Sequence, residues 1–253
     1  MRNLLHDMNP SVKFLIVAVS MLTIAFFFDP WTPFLFWLAV LVLQVLLSRI
    51  NWKIWALFML PFLLGAFGYL WTTIVFGADT SGEVIWSVAS FDVTAEQLDT
   101  ALSLAFRVLA FSTLSLMFAF TTDPVKFIMS LMQQLKLSPK LAYGIMVGYQ
   151  FLPVMKDEFT QIQQAHRLRG LDMEKRLVQR VFGMRRLLIP MLAGAVRKAE
   201  RSAFAMEARG FTGESRTAYY KPVKLSRLDA WMSCLFLLLL IGSCTGGVLL
   251  HGK

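Results

Sequence analysis

Five apolar runs decide most of what this chain can become. They occupy residues 12–28, 33–47, 54–76, 98–120 and 228–250, and a helix needs about 20 apolar residues to cross the roughly 30 Å hydrocarbon core of a bilayer. At 1.5 Å per residue the longest runs give about 35 Å, enough to cross with some tilt. Composition agrees: 57% of the 253 residues are hydrophobic and 16% charged, against roughly 45–50% and 25% in soluble domains. The pattern predicts an all-α integral membrane protein with about five transmembrane helices. The second run is short and follows Asp29-Pro30-Trp31-Thr32-Pro33, so it reads as the return limb of a helical hairpin, with a re-entrant path left open. No small-residue cleavage site follows the first run before the second, and the first segment is expected to be retained.

The formal net charge of +9 matters less for its size than for its placement, because Lys and Arg in short loops stay cytoplasmic. Arg2 and Lys13 lie at the N-terminal end of the first run, and Arg49 and Lys53 lie between the second and third. Residues 122–227 carry nineteen basic side chains against eight acidic, a net of +11. Residues 77–99 hold Asp79, Glu83, Asp92, Glu96 and Asp99 and no basic residue. One orientation satisfies every loop: N-terminus cytoplasmic, residues 77–99 outside, residues 122–227 cytoplasmic, C-terminus outside. The expected division is an N-terminal membrane domain of four spans (1–121), a cytoplasmic region with two Arg-Gly motifs (122–227) and a C-terminal transmembrane helix (228–253). A cytoplasmic basic excess is ordinary for a membrane protein, so nucleic acid is not an expected partner.

The cytoplasmic region has the periodicity of long amphipathic helices. Asp123-Pro124 and Ser138-Pro139 each set a capping side chain before a proline at the first helical position, where its missing N–H costs nothing. Val125, Ile128, Leu131, Met132 and Leu135 form one apolar stripe. Ala142, Ile145, Met146, Tyr149 and Leu152 form a second, with Pro153 expected to kink its helix. A third helical stretch starts near Asp172, is expected to kink or break near Pro190, and continues through Ala195, Ala199, Ala203 and Met206. Apolar stripes on a basic background suit the interface of a lipid bilayer as well as a protein partner. Two helical patterns end in Arg-Gly: Arg169-Gly170 and, forty residues on, Arg209-Gly210. Glycine is the preferred left-handed cap, and an arginine just before it projects its planar fork where it could enter an acidic cleft. Complementing the helix dipole explains one such ending; two at matched positions favour docking of a soluble partner.

Other signals weigh less. Gly247 to Lys253 has the spacing of a phosphate loop, but no Ser or Thr follows the lysine. Gly242-x-x-x-Gly246 is frequent by chance in apolar segments. His6, His166 and His251 are scattered with no ligand at metal spacing, and Cys234 and Cys244, both inside the last run, show no metal or disulfide pattern. No catalytic group, cofactor site or metal site is expected, and the chain reads as a non-catalytic subunit. Arg107 is a charge in the interior of the fourth run; a buried charge costs at least about 2.5–3.5 kcal/mol on insertion scales, and a structural bond between helices is the expected use.

These motifs together resemble the transmembrane T component of energy-coupling factor (ECF) transporters, vitamin and transition-metal importers of prokaryotes. The resemblance covers nearly the whole chain. Asn9-Pro10 with Lys13 is similar to the family's opening pattern, as are Arg107 and Thr121-Thr122-Asp123-Pro124 at the approach to the cytoplasmic helices. Phe151-Leu152-Pro153, Glu158 and Ala165 lead to Arg169-Gly170, and Ala203 to Phe211 resembles a second signature. Leu168 stands where alanine is usual, and Gln150 where arginine is common. The resemblance implies a multi-pass protein of a prokaryotic cell membrane with two partners. Two ABC-type ATPase subunits would receive Arg169, Gly170, Ala208, Arg209 and Gly210. A small substrate-binding membrane protein, the S component, would slide on Ile128, Leu131, Met132, Leu135, Ile145 and Met146. A stand-alone permease for a small solute or ion is the alternative, and it would want polar residues lining several spans.

Overall fold

Helix starts and stops follow local chemistry from the first turn. The computed structural model describes residues 4–48, 50–76, 84–88, 91–169, 177–214, 219 and 221–251; Arg2, Arg49, Asp79, Glu83, Gly170, Asp172, Gly252 and Lys253 lie outside the described residues. A short turn, α1 (Leu4–Asp7), precedes α2 (Pro10–Ala25), whose first turn is capped by the Asn9 side chain accepting from the Ser11 N–H at 3.1 Å. The Asp29-Pro30 turn leads into α3 (Trp31–Leu47), which ends where the Ser48 hydroxyl donates to the Gln44 carbonyl at 2.6 Å. Then come α4 (Trp52–Phe76), a two-stranded antiparallel hairpin of β1 (Val84–Val88) and β2 (Phe91–Thr94), and α5 (Ala95–Thr121). A capping box of Thr94 and Gln97 starts α5. The remaining helices are α6 (Pro124–Gln134), α7 (Pro139–Leu168), α8 (Leu177–Ala208) and α9 (Arg227–His251). Among the described residues the regular structure is helical apart from the one hairpin. α4, α5 and α9 each contain a stretch long and apolar enough to cross a membrane, while α2 and α3 are apolar but shorter, about 24–26 Å along their axes.

Two compact units emerge, Met1–Ser130 with Val223–Lys253 and Leu131–Pro222. The last apolar helix thus belongs with the first four, and the boundary lies at Ser130 rather than at the end of α5. The reason is a buried polar knot. Ser130 is fully buried; its hydroxyl donates to Asn9 Oδ1 at 2.7 Å and lies 2.6 Å from the Ser11 hydroxyl. The Asn9 N–H donates to Asp229 Oδ1 at 2.7 Å, and the second Asp229 oxygen accepts the Ser226 N–H at 2.8 Å. Beside them Lys13 is only 2% exposed, with Nζ donating to the Thr121 carbonyl and hydroxyl, both at 3.1 Å, and to the Thr122 hydroxyl at 3.4 Å. Lys13 is therefore a buried fastening between α2 and the end of α5, not a loop charge, and Arg107 is not alone as a charge inside this unit.

The apolar packing of the first unit centres on α5: 56% of its apolar window is buried, against 11% for α4. Val17, Ile24, Phe36, Val40, Leu43, Leu114, Met117, Phe236 and Leu240 form the main cluster, joining α2, α3, α5 and α9. Met59 and Ala66 of α4 meet Ala105, Leu109 and Leu116 of α5 in a smaller one. With lipid around them, helices gain little from hiding apolar surface and rely on close packing and hydrogen bonds. Both occur here. A Cβ on Gly247 of α9 would stand 2.9 Å from the Thr32 nitrogen and 3.0 Å from its Cα, so only glycine admits α3 at that distance. Gln44 donates to the Thr113 carbonyl and Trp37 to the Thr113 hydroxyl, each at 3.1 Å. Arg107 donates to the Phe27 carbonyl and lies 5.2 Å over the Phe28 ring, while the Ser103 hydroxyl donates to the Asp29 carbonyl at 3.4 Å. The middle of α5 thereby holds the α2–α3 turn.

Candidate functional site: two long helices and their arginine ends

In the second unit the Ser138 hydroxyl accepts the Leu141 N–H at 3.4 Å, and Pro139 occupies the first helical position, as the sequence pattern predicts. From there α7 runs 30 residues, about 45 Å, and passes through Pro153 without ending. Likewise α8 runs 32 residues and continues through Pro190. Length carries both helices past the prolines, since each proline removes only one hydrogen bond from a ladder of many.

Both arginines donate their N–H to the carbonyl three residues back, Arg169 to His166 at 3.2 Å and Arg209 to Met206 at 3.1 Å. At the end of α8, Phe211 N–H donates to the Met206 carbonyl at 3.0 Å and Gly210 N–H to the Glu207 carbonyl at 2.9 Å. Gly210 has φ of +78°, so these are the paired bonds of a Schellman cap, which a left-handed glycine makes possible. Beyond the cap, the Phe211 ring meets the Tyr143 ring of α7 at 5.3 Å and 74°, edge to face. Gly213, also left-handed at +75°, lies against the Lys140 side chain. The chain leaving α8 is thus fastened along the first turn of α7. At the end of α7, Gly170 falls outside the described residues. Arg169, Ala208, Arg209 and Gly210 are all exposed.

Where do the helices meet between these ends? The Lys198 ammonium of α8 is paired with the Glu158 carboxylate of α7, with side chains 29% and 21% exposed. Gly194, one turn earlier on α8, leaves the room in which that carboxylate lies. Going back along α7 from Glu158 to Tyr143 matches going forward along α8 from Lys198 to Phe211, so the helices run antiparallel. Arg169 and Arg209 consequently project on opposite sides of the Glu158–Lys198 crossing.

The apolar residues expected to meet a membrane partner divide into two groups. Ile128 and Met132 are buried, and Leu131 and Met146 half-buried; Leu135 and Ile145 are 55% and 51% exposed. α6 spends part of its stripe within its own chain, where Phe127 meets Phe14 at 5.5 Å and Phe118 at 5.2 Å. Ile128 and Met132 therefore drop out of an external surface. On α7 the exposed side is larger than expected, since Leu141, Tyr149 and Leu152 join Ile145 there. Sequence reasoning missed Asp229, Ser130, the Glu158–Lys198 pair and the Tyr143–Phe211 contact. Ser226-x-x-Asp229 before an apolar run is a capping-box signal that would have found Asp229; nothing local marks the other three.

Comparison with known proteins adds an independent line. The model of a family described as cobalt transport protein (CbiQ) matches residues 1–219. A protein of Streptococcus thermophilus named energy-coupling factor transporter transmembrane protein is 29% identical over 230 residues, covering 85% of this chain and 84% of its own. Proteins of the same name from Limosilactobacillus fermentum (29%, covering 90% and 87%) and Thermotoga maritima (27%, covering 90% and 84%) are similar over nearly the same span.

Proposed function

This chain belongs to the cobalt transport protein family, as an ECF transporter transmembrane T component, and on that premise we propose that it couples ATP hydrolysis in two cytoplasmic ABC-type ATPase subunits to movement of a small substrate-binding S component. The transported substrate is a vitamin or a transition-metal ion selected by the S component. This subunit carries no catalysis and needs no cofactor of its own. It crosses the prokaryotic cell membrane five times, with the N-terminus and the α6–α8 region cytoplasmic and the C-terminus outside, the orientation that leaves the basic residues in and the acidic loop of residues 77–99 out.

The observation that carries this reading is the pair of exposed arginines at the far ends of two long helices that cross between them. Each guanidinium would enter an acidic cleft of one ATPase subunit, where a bidentate pair fixes direction as well as attraction. The exposed side of α7 at Leu141, Ile145, Tyr149 and Leu152, with Leu135, would meet the S component. An apolar stripe of this length needs lipid or protein over it.

The test is Arg169→Glu combined with Arg209→Glu in the full complex. Reversing a charge at a desolvated pair costs more than the 2–5 kcal/mol of truncation, so retention of the ATPases on affinity purification should fall by well over tenfold while membrane insertion stays normal. Undiminished co-purification refutes the docking role. Recovery of the wild-type chain alone from membranes that transport normally favours the solitary permease.

A further inference from the structure

The two arginines are not only on opposite sides of the α7–α8 crossing; they are equally far from it. Arg169 follows Glu158 by eleven residues and Arg209 follows Lys198 by eleven. At 1.5 Å per residue each arm is about 16 Å long. Exchanging α7 and α8 about the Glu158–Lys198 contact therefore brings each arginine onto the place of the other along its helix. That is the arrangement a single chain needs to face a pair of similar subunits, because two like clefts related by a two-fold axis require two like groups related in the same way.

Equal arms are useful only if the crossing point stays put. Among the described residues of this unit the buried apolar side chains are Met132, Ala142 and Leu187; Leu187 lies two turns before Gly194 on the same face of α8, which half-buried Met191, Ala195 and Ser202 continue. What stands at the crossing is the ion pair and the glycine beneath it. A Cβ at Gly194 would occupy the place of the Glu158 carboxylate, so the glycine lets the carboxylate lie against the α8 backbone while Lys198, one turn on, holds it. Two helices touching along ridges can slide by a turn at little cost, whereas a charge pair over a glycine notch has one register.

Building on the coupling role above, we propose that Glu158, Lys198 and Gly194 form the registering pivot that keeps Arg169 and Arg209 at equal and opposite reach, and are positioning residues for ATPase engagement. They touch neither nucleotide nor substrate. Their effect is on the distance between the two helix ends.

The experiment measures that distance directly. In the full chain with Cys234→Ala and Cys244→Ala, cysteines at Leu168 (90% exposed) and Phe204 (69% exposed) carry spin labels. Their separation is read by double electron–electron resonance, in the chain alone and with the ATPases. With the pivot intact the distribution is narrow, around the roughly 24 Å that ten residues of α7 and six of α8 span. Glu158→Gln, Lys198→Gln and Gly194→Ala each at least double its width, and the exchange Glu158→Lys with Lys198→Glu returns it close to the starting width. ATPase retention follows the same order, dropping severalfold in the single variants and recovering in the exchange. Melting temperature stays within a few degrees in all of them, which separates lost register from lost folding. Unchanged widths in Glu158→Gln and Lys198→Gln overturn the pivot, as does an exchange variant as broad as the singles. If the distances behave as stated but the unsubstituted chain retains no ATPase, the coupling reading fails and the pivot stands as a register device of the helix pair.

Discussion

The two units of this protein treat their polar and apolar groups in opposite ways. The unit built on α5 puts Asn9, Ser11, Lys13, Thr121, Ser130 and Asp229 inside and leaves large apolar side chains such as Leu57, Leu64, Phe67 and Leu238 outside. Among its described residues the unit of α7 and α8 buries few apolar side chains, Met132, Ala142 and Leu187. Leu141, Leu152, Ile189, Leu192 and Phe204 stay exposed, and its best-defined contacts are an ion pair and one pair of rings. The first pattern is that of a body finished against lipid, where any polar group must find its partner within the protein. The second is that of a surface finished by something else. A chain with both regions has a fixed frame and a presented face, which is what transmission of a movement requires.

The sharpest way to break this comparison is to remove one polar partner in each unit. Lys13→Met removes the donor to Thr121 and Thr122, and Asp229→Ala removes the acceptor of the Asn9 and Ser226 N–H groups. Each buried group left unpaired costs about 1–3 kcal/mol, and more than one is left in each variant. The equivalent change in the other unit, Glu158→Gln, acts on a pair in contact with water and costs on the order of 1 kcal/mol at most. Thermal unfolding of the purified protein in mild detergent, followed by tryptophan fluorescence, should rank Lys13→Met and Asp229→Ala far below Glu158→Gln. The reverse order would mean that the frame and the presented face have been assigned the wrong way round.

A second prediction sharpens the same contrast with glycines. Gly247 sits against the backbone of Thr32, which has nowhere to move, and Gly247→Ala should cost about 1–3 kcal/mol by forcing α3 and α9 apart. A control is Gly144→Ala on α7, where an added Cβ meets nothing within 4 Å; there the gain in helix propensity, about 0.8–1 kcal/mol, should leave stability equal or higher. Denaturation midpoints of the two variants should therefore move in opposite directions.

Most of the frame was legible from the sequence, and the reasons mark the limit of what sequence carries. Apolar runs of spanning length are a one-dimensional signal, and so are Asp123-Pro124 and Ser138-Pro139, whose helices begin at Pro124 and Pro139 as their chemistry dictates. The left-handed cap at Gly210 was legible because a cap is local; Gly170 lies outside the described residues. The polar knot was not legible. Asn9 with Lys13, Ser130 and Asp229 come from three separate stretches, and a serine in the middle of α6 reads as solvated until Asn9 and Ser11 are brought to it. Lys13 was misread as a loop charge for the same reason: its partners Thr121 and Thr122 are more than a hundred residues away. The expected stripe on α6 failed at Ile128 and Met132 because periodicity tells that a face is apolar, never what covers it.

The smallest effect predicted concerns the two arginine ends themselves. Arg209 directly precedes the left-handed glycine of a Schellman cap, and Phe211, two residues on, is stacked edge to face on Tyr143; the α7 end has a cap bond from Arg169 to His166. A ring pair of this geometry is worth about 0.5–1.5 kcal/mol beyond the area it covers. Phe211→Leu and Tyr143→Leu, taken singly and together, should give a coupling energy of that size by double-mutant cycle, because the pair touches at one place and each leucine removes the ring without adding a charge. Global unfolding is too blunt to see it. Amide hydrogen exchange at residues 209–213 is the proper reading: those amides should exchange about threefold to tenfold faster in either single variant, with little further change in the double, while amides at 166–169 keep their rates. Equal acceleration at both helix ends would show that the ring contact stabilises the helix pair as a whole and does not specifically fasten the Arg209 end.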